Sequence, residues 1–398
     1  MDGGDIEPSG TALRQPETFD HFPDVSATAR QEFFERAPGG VEAGTGPVDG
    51  LALGATLYIP GIEPGIFAKL GQTLDIGALA AVICLEDSVR LEDVPAAEVN
   101  VVTSLRRAAA DPSIKVPPLL FLRPRTPEQL ISVGRDLGSV LPLLRGICVP
   151  KFSSRSGEGW LSAVDLLADE LGHHLSVMPI LEGPAALHRE SRLAEFLTLR
   201  SVLLDRKEHV PVVRIGGTDL CGLLGLRRRA DETIYDLGPV RDAILDMVNV
   251  FTRNDDFLVS GPVWEYFHSD ERLWKPQLRT SLFDSEGADL RSSLISRHLD
   301  GLIKEVLADR ANGLTGKTVI HPSHIRPVNA LHTVTFEEWV DASNIMSSSH
   351  EGGVQVSAFS NKMNEAGPHR LWAERVLARG QVFGVLREGT TFVSLLDS

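Results

Sequence analysis

Eight short apolar runs, separated by stretches with helical spacing, constrain this chain more than any other feature. They are Ala55–Pro60, Ala81–Glu86, Pro118–Arg123, Gly146–Lys151, Val177–Glu182, Val212–Gly217, Phe257–Gly261 and Thr318–His321. Most are continuous rather than alternating, as expected of strands buried on both faces of a parallel sheet. Eight such strands alternating with helices predict an α/β chain folded as a closed (β/α)8 TIM barrel, not an open doubly wound sheet. No GxGxxG follows the first run, which weighs against a dinucleotide fold.

The barrel is expected over residues 51–330. Residues 1–50 are rich in glycine, proline and acidic side chains without a sustained period. They are expected to form a flexible or loosely docked arm, with one short helix near Thr28–Arg36. The long gap after the seventh run holds the aromatic stretch Trp264–Phe267 and a helix expected near Leu290–Ala308, carried by Leu294, Leu299, Leu302, Ile303 and Leu307. Phe336–Met346 and Pro368–Ala378 also read as helices. Residues 331–398 are therefore expected to be a C-terminal helical extension, a cap on the barrel or a lid reaching a neighbouring subunit.

Composition removes several function classes. Lys plus Arg is 39 and Asp plus Glu is 54, so the formal charge is 39 − 54 = −15. That balance argues against nucleic acid as a partner, which needs a basic face. No apolar run approaches the roughly 20 residues of a membrane span. Met1–Phe19 has no apolar core and does not read as a signal peptide. Cys84, Cys148 and Cys221 are too sparse for a disulfide framework and suit a reducing, cytoplasmic setting. The chain has no CxxC, HExxH, Walker A or GxSxG motif.

The charges within the runs fall in one place. Glu86 and Asp87 end the second run, Arg123 the third, Lys151 the fourth and Glu182 the fifth; Asp219 follows the sixth, and His321 ends the eighth. In a parallel barrel these ends open on one face, which carries the active site. Each residue alone is as easily the polar start of a loop; seven together argue for a built cluster. Glu182 and Asp219 are hard oxygen donors on adjacent strands, suited with waters and a chelating substrate to Mg²⁺ or Mn²⁺. Arg123 offers a planar fork to a substrate carboxylate or developing enolate, with Glu86 and Asp87 to orient it. Lys151 is a candidate Schiff-base amine, although the carboxylate pair favours the metal route. Arg227–Arg229 read as a phosphate clamp or, in preference, as a solvated or surface ion-paired stretch. Cys221 reads as packing, and His173 and His174 as loop residues at the far end of the barrel.

The motifs at these strand ends also carry a resemblance. LYIPG at Leu57–Gly61, CLEDSV at Cys84–Val89, FLRPR at Phe121–Arg125, VPKF at Val149–Phe152 and PILEGPAAL at Pro179–Leu187 occur in order. GGTDLCGLLG at Gly216–Gly225, GKTVIHPSHIRPVN at Gly316–Asn329 and a degenerate NKMNEAGPHRLWAERVLA at Asn361–Ala378 follow. Together they resemble the HpcH/HpaI aldolase and citrate lyase beta-subunit superfamily, in its citrate lyase beta-like, malyl-CoA lyase-like branch. Within it the chain is similar to divergent carbon–carbon bond lyases found beside tellurium-stress genes. The resemblance implies Arg123 as substrate-binding arginine, Glu182 and Asp219 as magnesium ligands, and Glu86 and Asp87 as the acidic pair that organises the pocket. Arg125 stands where the family usually has asparagine, which implies a second cation at the pocket or its rim. Lys151 and His321 sit in matching motifs, as a substrate contact or as loop supports. Glu365 stands in the element where some thioester-using members place an aspartate donated by a neighbouring subunit.

The expected function is a cytoplasmic Mg²⁺-dependent carbon–carbon bond lyase. It would act through an enolate on a small carboxylic acid, free or as a CoA thioester, in a homo-oligomer. Acyl-thioester hydrolysis at the same site, and a non-catalytic barrel serving as scaffold or metabolite sensor, are the alternatives.

Overall fold

A computed structural model describes residues 18–42, 48–267, 297–347 and 354–396. Its centre is a closed parallel barrel of eight strands. They are β1 (Ala55–Pro60), β2 (Ala80–Cys84), β3 (Leu119–Arg123), β4 (Gly146–Val149), β5 (Ser176–Leu181), β6 (Val213–Ile215), β7 (Val259–Gly261) and β8 (Thr315–Val319). β8 closes the ring on β1, with Lys317, Thr318 and Val319 opposite Ala55, Thr56 and Leu57.

Alternation along the strands divides the apolar residues into two cores. Ile59, Ile83, Leu122, Ile147 and Leu181 face outward and join Leu70, Val101, Leu130, Leu167 and Ile244 of the surrounding helices in one continuous shell. Ala80, Val82, Leu119, Phe121, Met178 and Ile180 face inward and fill the barrel, plugged from below by Val48, Ala52 and Leu53. The inward series continues past the strand ends. Ala80, Val82 and Cys84 lead to Glu86, Leu119 and Phe121 lead to Arg123, and Met178 and Ile180 lead to Glu182. The same two-residue period that packs the interior therefore delivers charges to its upper mouth.

Local signals set the helices between the strands. The helix Pro127–Leu137 begins at Thr126, whose hydroxyl accepts the Gln129 N–H at 3.2 Å, has proline in its first turn, and stops at Gly138. Gly138 has φ +54°, a conformation that suits glycine.

The eighth strand begins earlier than its apolar pattern suggests, at Thr315 rather than Thr318. Gly316 and Lys317 hide it. Gly316 has φ +60°, and a Cβ there would approach the Gly54 carbonyl oxygen to 2.7 Å. Lys317 points out of the barrel and is fully buried, paired with Glu305 at 2.9 Å and Asp309 at 2.7 Å. Both acids lie on the helix Arg297–Ala311, which holds Leu299, Leu302, Ile303 and Leu307 of the helix expected before β8. Leu294 and the start of that expected helix lie outside the described residues.

The lower end of the barrel is closed by both flanking segments. In the N-terminal arm the helix Ala27–Phe33 is followed by a strand, Phe34–Arg36, which pairs with Val385–Leu386 of the C-terminal extension. Phe22, Val25 and Phe34 are buried against Ala330, Leu386 and Leu395. The described part of the arm, residues 18–42, is thus docked, through a few apolar anchors that its overall composition conceals. The extension contains helices Phe336–Ser347, Ala366–Phe383 and Phe392–Leu396, with a short hairpin of Val354–Val356 and Met363–Glu365. Val382 reaches the plug beneath the barrel, and Arg375 pairs with Asp255 just before β7 at 2.8 Å. Among the described residues no helix is long and apolar enough to cross a membrane.

Two buried histidines lock this base. His21 and His332 flank Phe383, with ring centroids 4.4 and 5.3 Å from it. His21 Nε2 bonds the Ala52 carbonyl at 3.0 Å, and His332 Nε2 accepts the Gly316 N–H at 2.9 Å. Burial lowers His21 from 6.5 to about 4 and His332 to about 3. The unfolded chain therefore binds these protons at a higher pH than the folded one. Their stabilisation is complete above the unfolded value and is lost as the pH falls toward the folded ones, at up to about 1.4 kcal/mol per pH unit for each histidine. The contribution of the two histidines to the melting temperature is expected to be level above about pH 7 and to fall between about pH 6.5 and 5, against the opposite slope of buried carboxyls whose values are raised. His21→Gln should flatten that slope, and an unchanged slope would remove His21 from the account.

Candidate active site at the upper mouth of the barrel

Arg123, at the end of β3, is the centre of the cluster. Its Nη2 lies 2.8 Å from Glu86, 3.2 Å from Glu182 and 3.3 Å from Asp87. Lys151 closes a second set of contacts, with Nζ 2.5 Å from Glu86 and 3.5 Å from Asp87. Its backbone N–H donates to Glu182 at 2.9 Å. Lys151 has φ +49°, uncommon for a residue with a side chain. In that conformation its backbone serves Glu182 while its ammonium serves Glu86. Glu86, Arg123 and Glu182 are buried, whereas Asp87 and Lys151 are about half exposed toward the mouth, with side-chain values of 50% and 53%.

Asp219 stands in the first turn of the helix Gly217–Leu223, directly after β6, and is half-buried. It is close enough to Glu182 to raise that group's proton affinity. Burial first, then the charges of Asp219 and Glu86, push Glu182 up to about 7, against the opposing pull of Arg123 and the Lys151 N–H. Burial likewise raises Glu86, helped by its hydrogen bond with Asp87. Burial opposes ionisation of Asp87, but Glu86, Arg123 and Lys151 outweigh it and hold this carboxyl below its usual range.

Six of the residues picked out in the sequence thus come together: Glu86, Asp87, Arg123, Lys151, Glu182 and Asp219. Arg125 stands apart from that group. Its Nη2 donates to the carbonyls of Glu86 and Val89 at 2.7 and 2.9 Å, so it braces the acidic loop from behind. His321 accepts the Ser323 N–H at 3.2 Å and stacks on Phe267 at 4.9 Å, tying the loops after β7 and β8 together. Within one chain Glu365 is not brought to the cluster. It starts the helix Ala366–Phe383, which is anchored at the lower end, and its N–H donates to His369 at 3.0 Å. Cys221 is buried and its thiol is pushed up to about 11, first by burial, which suits packing.

Sequence reasoning missed Arg214 on β6. It is fully buried inside the barrel, one inward layer below the cluster. It bonds the hydroxyls of Thr56 and Thr318 and lies 5.6 Å from the Tyr58 ring. The Tyr58 hydroxyl in turn meets Cys148 Sγ at 2.9 Å. The only signal was one charge in an otherwise apolar run.

The profile of a family described as carbon–carbon bond lyases of the TIM-barrel fold matches residues 48–385. The chain belongs to this family. The lyase shares its fold with a citrate lyase from Burkholderia xenovorans LB400, at 14% identity and a TM-score of 0.58, over 87% of this chain and 96% of that one. It also resembles the protein CitE from Mycobacterium tuberculosis, a structure in complex with magnesium, acetoacetate and coenzyme A. There the identity is 21% and the TM-score 0.50, over 83% of this chain and 99% of that one. Comparison with curated proteins returns no match. The family agrees with the resemblance drawn from the motifs, and membership in it sets aside the non-catalytic scaffold.

The donor set at the mouth fits a divalent cation of the hard type. Among the described residues no group of three or more His, Cys, Asp or Glu side chains is gathered as a metal site. Mg²⁺ needs only one or two carboxylates, because it keeps waters and takes oxygens from substrate. Glu182 and Asp219 supply two. The cluster holds four carboxylates (Glu86, Asp87, Glu182, Asp219) against two cations (Arg123, Lys151), or −4 + 2 = −2 when all are ionised. A divalent ion neutralises that excess. Gly216 gives a direct test of this geometry. A Cβ there would lie 2.1 Å from Glu182 Oε2 and 2.4 Å from Glu182 Cβ, so the Glu182 side chain and the backbone beside it must shift. Gly216→Ala should weaken Mn²⁺ binding by about 10- to 100-fold in titration calorimetry, in a chain whose circular dichroism spectrum shows the barrel intact. Parental affinity would show that Glu182 is not a ligand.

Proposed function

We propose that the lyase is Mg²⁺-dependent and cleaves or forms a carbon–carbon bond in a small hydroxy acid, free or carried as an acyl thioester. The observation that carries this reading is the Arg123-centred cluster with Asp219 beside it. A carboxylate-bearing substrate suits the planar, permanently charged guanidinium of Arg123 at the end of β3, which the three acids hold in place through Nη2. Bound Mg²⁺, held by Glu182 and Asp219, would supply Lewis-acid stabilisation of developing oxyanion charge.

The remaining work falls to the chain's own groups. Arg123 holds the substrate carboxylate. Glu86, whose proton affinity burial raises, is suited to take the hydroxyl proton. As the O–H bond breaks, its electrons form the carbonyl of a 2-oxo acid. The carbon–carbon bond breaks in turn, and its electrons pass to the second fragment as an enolate. That fragment then takes up a proton. Lys151 and Asp87 keep Glu86 and Arg123 in place and compensate the charge that moves between them. The complex of CitE with magnesium, acetoacetate and coenzyme A is in keeping with such a substrate and with a thioester form of it.

Calorimetric titration with Mg²⁺ and with pyruvate, glyoxylate or oxaloacetate tests this reading; no binding of metal or 2-oxo acid would refute it. Glu182→Ala and Asp219→Ala should each abolish Mg²⁺ binding while the circular dichroism spectrum is unchanged, since each removes one of two protein ligands.

We further propose a homo-oligomer in which Glu365 completes a neighbour's site. Glu365 stands away from its own cluster, on a hairpin that exposes the paired Val356 and Met363, beside a helix exposing Leu371 and Trp372. Deleting the extension is a poor test, because it would also strip the base. Point variants avoid that. Glu365→Ala and Glu182→Ala chains should each be inactive, and mixed oligomers of the two should regain activity. No recovery in demonstrably mixed oligomers, or a strictly monomeric protein, would rule out the shared site.

A further inference from the structure

A second cluster of charges lies outside the barrel wall, behind the turn that carries Asp219. Its hub is Arg228, only 2% exposed. Of the readings of Arg227–Arg229, the ion-paired one describes Arg228, although its pairs are buried rather than on the surface; its guanidinium is fully engaged and is no phosphate clamp. It pairs with Glu305, with Glu265 at 2.9 Å, and donates to the Val263 carbonyl. It also lies 4.8 Å from the Trp264 ring, and its own carbonyl accepts the Tyr266 hydroxyl at 2.6 Å. Arg228 therefore grips the four residues from Val263 to Tyr266, which follow β7. Behind it, Glu305 accepts from Lys317 at 2.9 Å and from the Ile234 N–H at 2.7 Å. Asp309 accepts from Lys317 at 2.7 Å and from the Tyr235 hydroxyl at 2.8 Å.

Glu265 connects this network to the mouth of the barrel. One of its oxygens accepts from Arg228, and the other accepts the Thr218 hydroxyl at 2.8 Å. Thr218 immediately precedes Asp219. The helix they share is seven residues long and has no side-chain cap, so little within it fixes where its first turn sits. Contact with the β7 loop does so. Beside Thr218, Gly217 lies so close to Pro262 that a Cβ would approach it to 2.9 Å.

We propose that Arg228 and Glu265 are positioning residues. Acting through Thr218, they set the Asp219 carboxylate opposite Glu182, and so set the affinity of that carboxylate pair for a divalent cation. This rests on Glu182 and Asp219 being the metal-holding pair. The chemistry is that of an outer partner orienting a ligand, where losing the partner typically weakens metal binding about 10- to 100-fold.

The test is Mn²⁺ binding to the full chain, read from the loss of the free-ion electron paramagnetic resonance signal, with a melting temperature for every variant. Arg228→Ala would leave Glu305 buried without one of its cations and is expected to unfold, so the informative positions are Thr218, which is exposed, and Glu265, which is partly so. Thr218→Val removes only the link, and Glu265→Ala removes both of its ends. Each is expected to weaken Mn²⁺ binding about tenfold or more, Thr218→Val at a near-parental melting temperature and Glu265→Ala at a lowered one, because it also leaves the buried Arg228 Nε without its acceptor. Thr218→Ser keeps the hydroxyl and is expected to bind like the parent. Parental Mn²⁺ affinity in Thr218→Val and Glu265→Ala would overturn the proposal, provided Asp219→Ala has lost binding. Weakened binding in Thr218→Val that only tracks a lowered melting temperature, or a serine variant as weak as valine, would overturn it too. If Asp219→Ala binds Mn²⁺ like the parent, the ligand pair itself is wrong and the proposal falls with it.

Discussion

A single guanidinium nitrogen, Arg123 Nη2, holds three carboxylates within 3.3 Å of itself. Everything at the mouth of the barrel depends on that contact. Like charges on neighbouring strand ends repel, and burying them without a cation is strongly unfavourable. Arg123 makes their convergence tolerable, and Lys151 shares the task from the rim. Burial, and after it the neighbouring charges of Asp219 and Glu86, push Glu182 up to about 7 even so, and the arrangement still holds more acid than base. A site balanced in this way is prepared for an added positive charge. Its interior is not prepared for a second large anion, unless a cation accompanies that anion.

The barrel supports the cluster by geometry rather than by extra contacts. Inward positions recur every second residue, so the packing of Phe121 beneath Arg123 and of Ile180 beneath Glu182 fixes where those charges emerge. Around the rim, loops brace one another. Arg125 clasps the Glu86–Val89 turn, Glu265 clasps Thr218, and His321 stacks on Phe267. The loops after β2, β6 and β8 are thus each positioned partly by the loop of a neighbouring strand.

How far the sequence alone could lead depends on the kind of signal. The eight apolar runs foretold the closed barrel, because strands covered on both faces leave uninterrupted hydrophobic stretches. The same runs made the terminal charges conspicuous, and the structure gathers Glu86, Asp87, Arg123, Lys151, Glu182 and Asp219. Polar residues with buried partners were illegible. Lys317 looks like the end of a loop until Glu305 and Asp309 are placed beside it, and Arg228 looks solvated until Glu265 and Glu305 enclose it. Arg125 was legible as a cation, but not as one already committed to backbone carbonyls. Arg125 and Arg228 find their partners 36 to 77 positions away, which local pattern cannot report; those of Lys317 lie only 8 and 12 positions before it, but on a helix whose packing against β8 the pattern does not show.

The docked arm has a consequence for how the chain is made. Phe34 pairs with Leu386, 386 − 34 = 352 positions later in the sequence. A ribosome adding about 5–20 residues per second needs roughly 20–70 s to cover that distance. Through that interval the nascent chain carries Phe22, Val25 and Phe34 without the surface that finally covers them. The barrel wall can assemble from the N-terminal side as it emerges, but its floor cannot be sealed until residue 386 is free. During synthesis, a chaperone that recognises short apolar segments would find its target near residues 22–34.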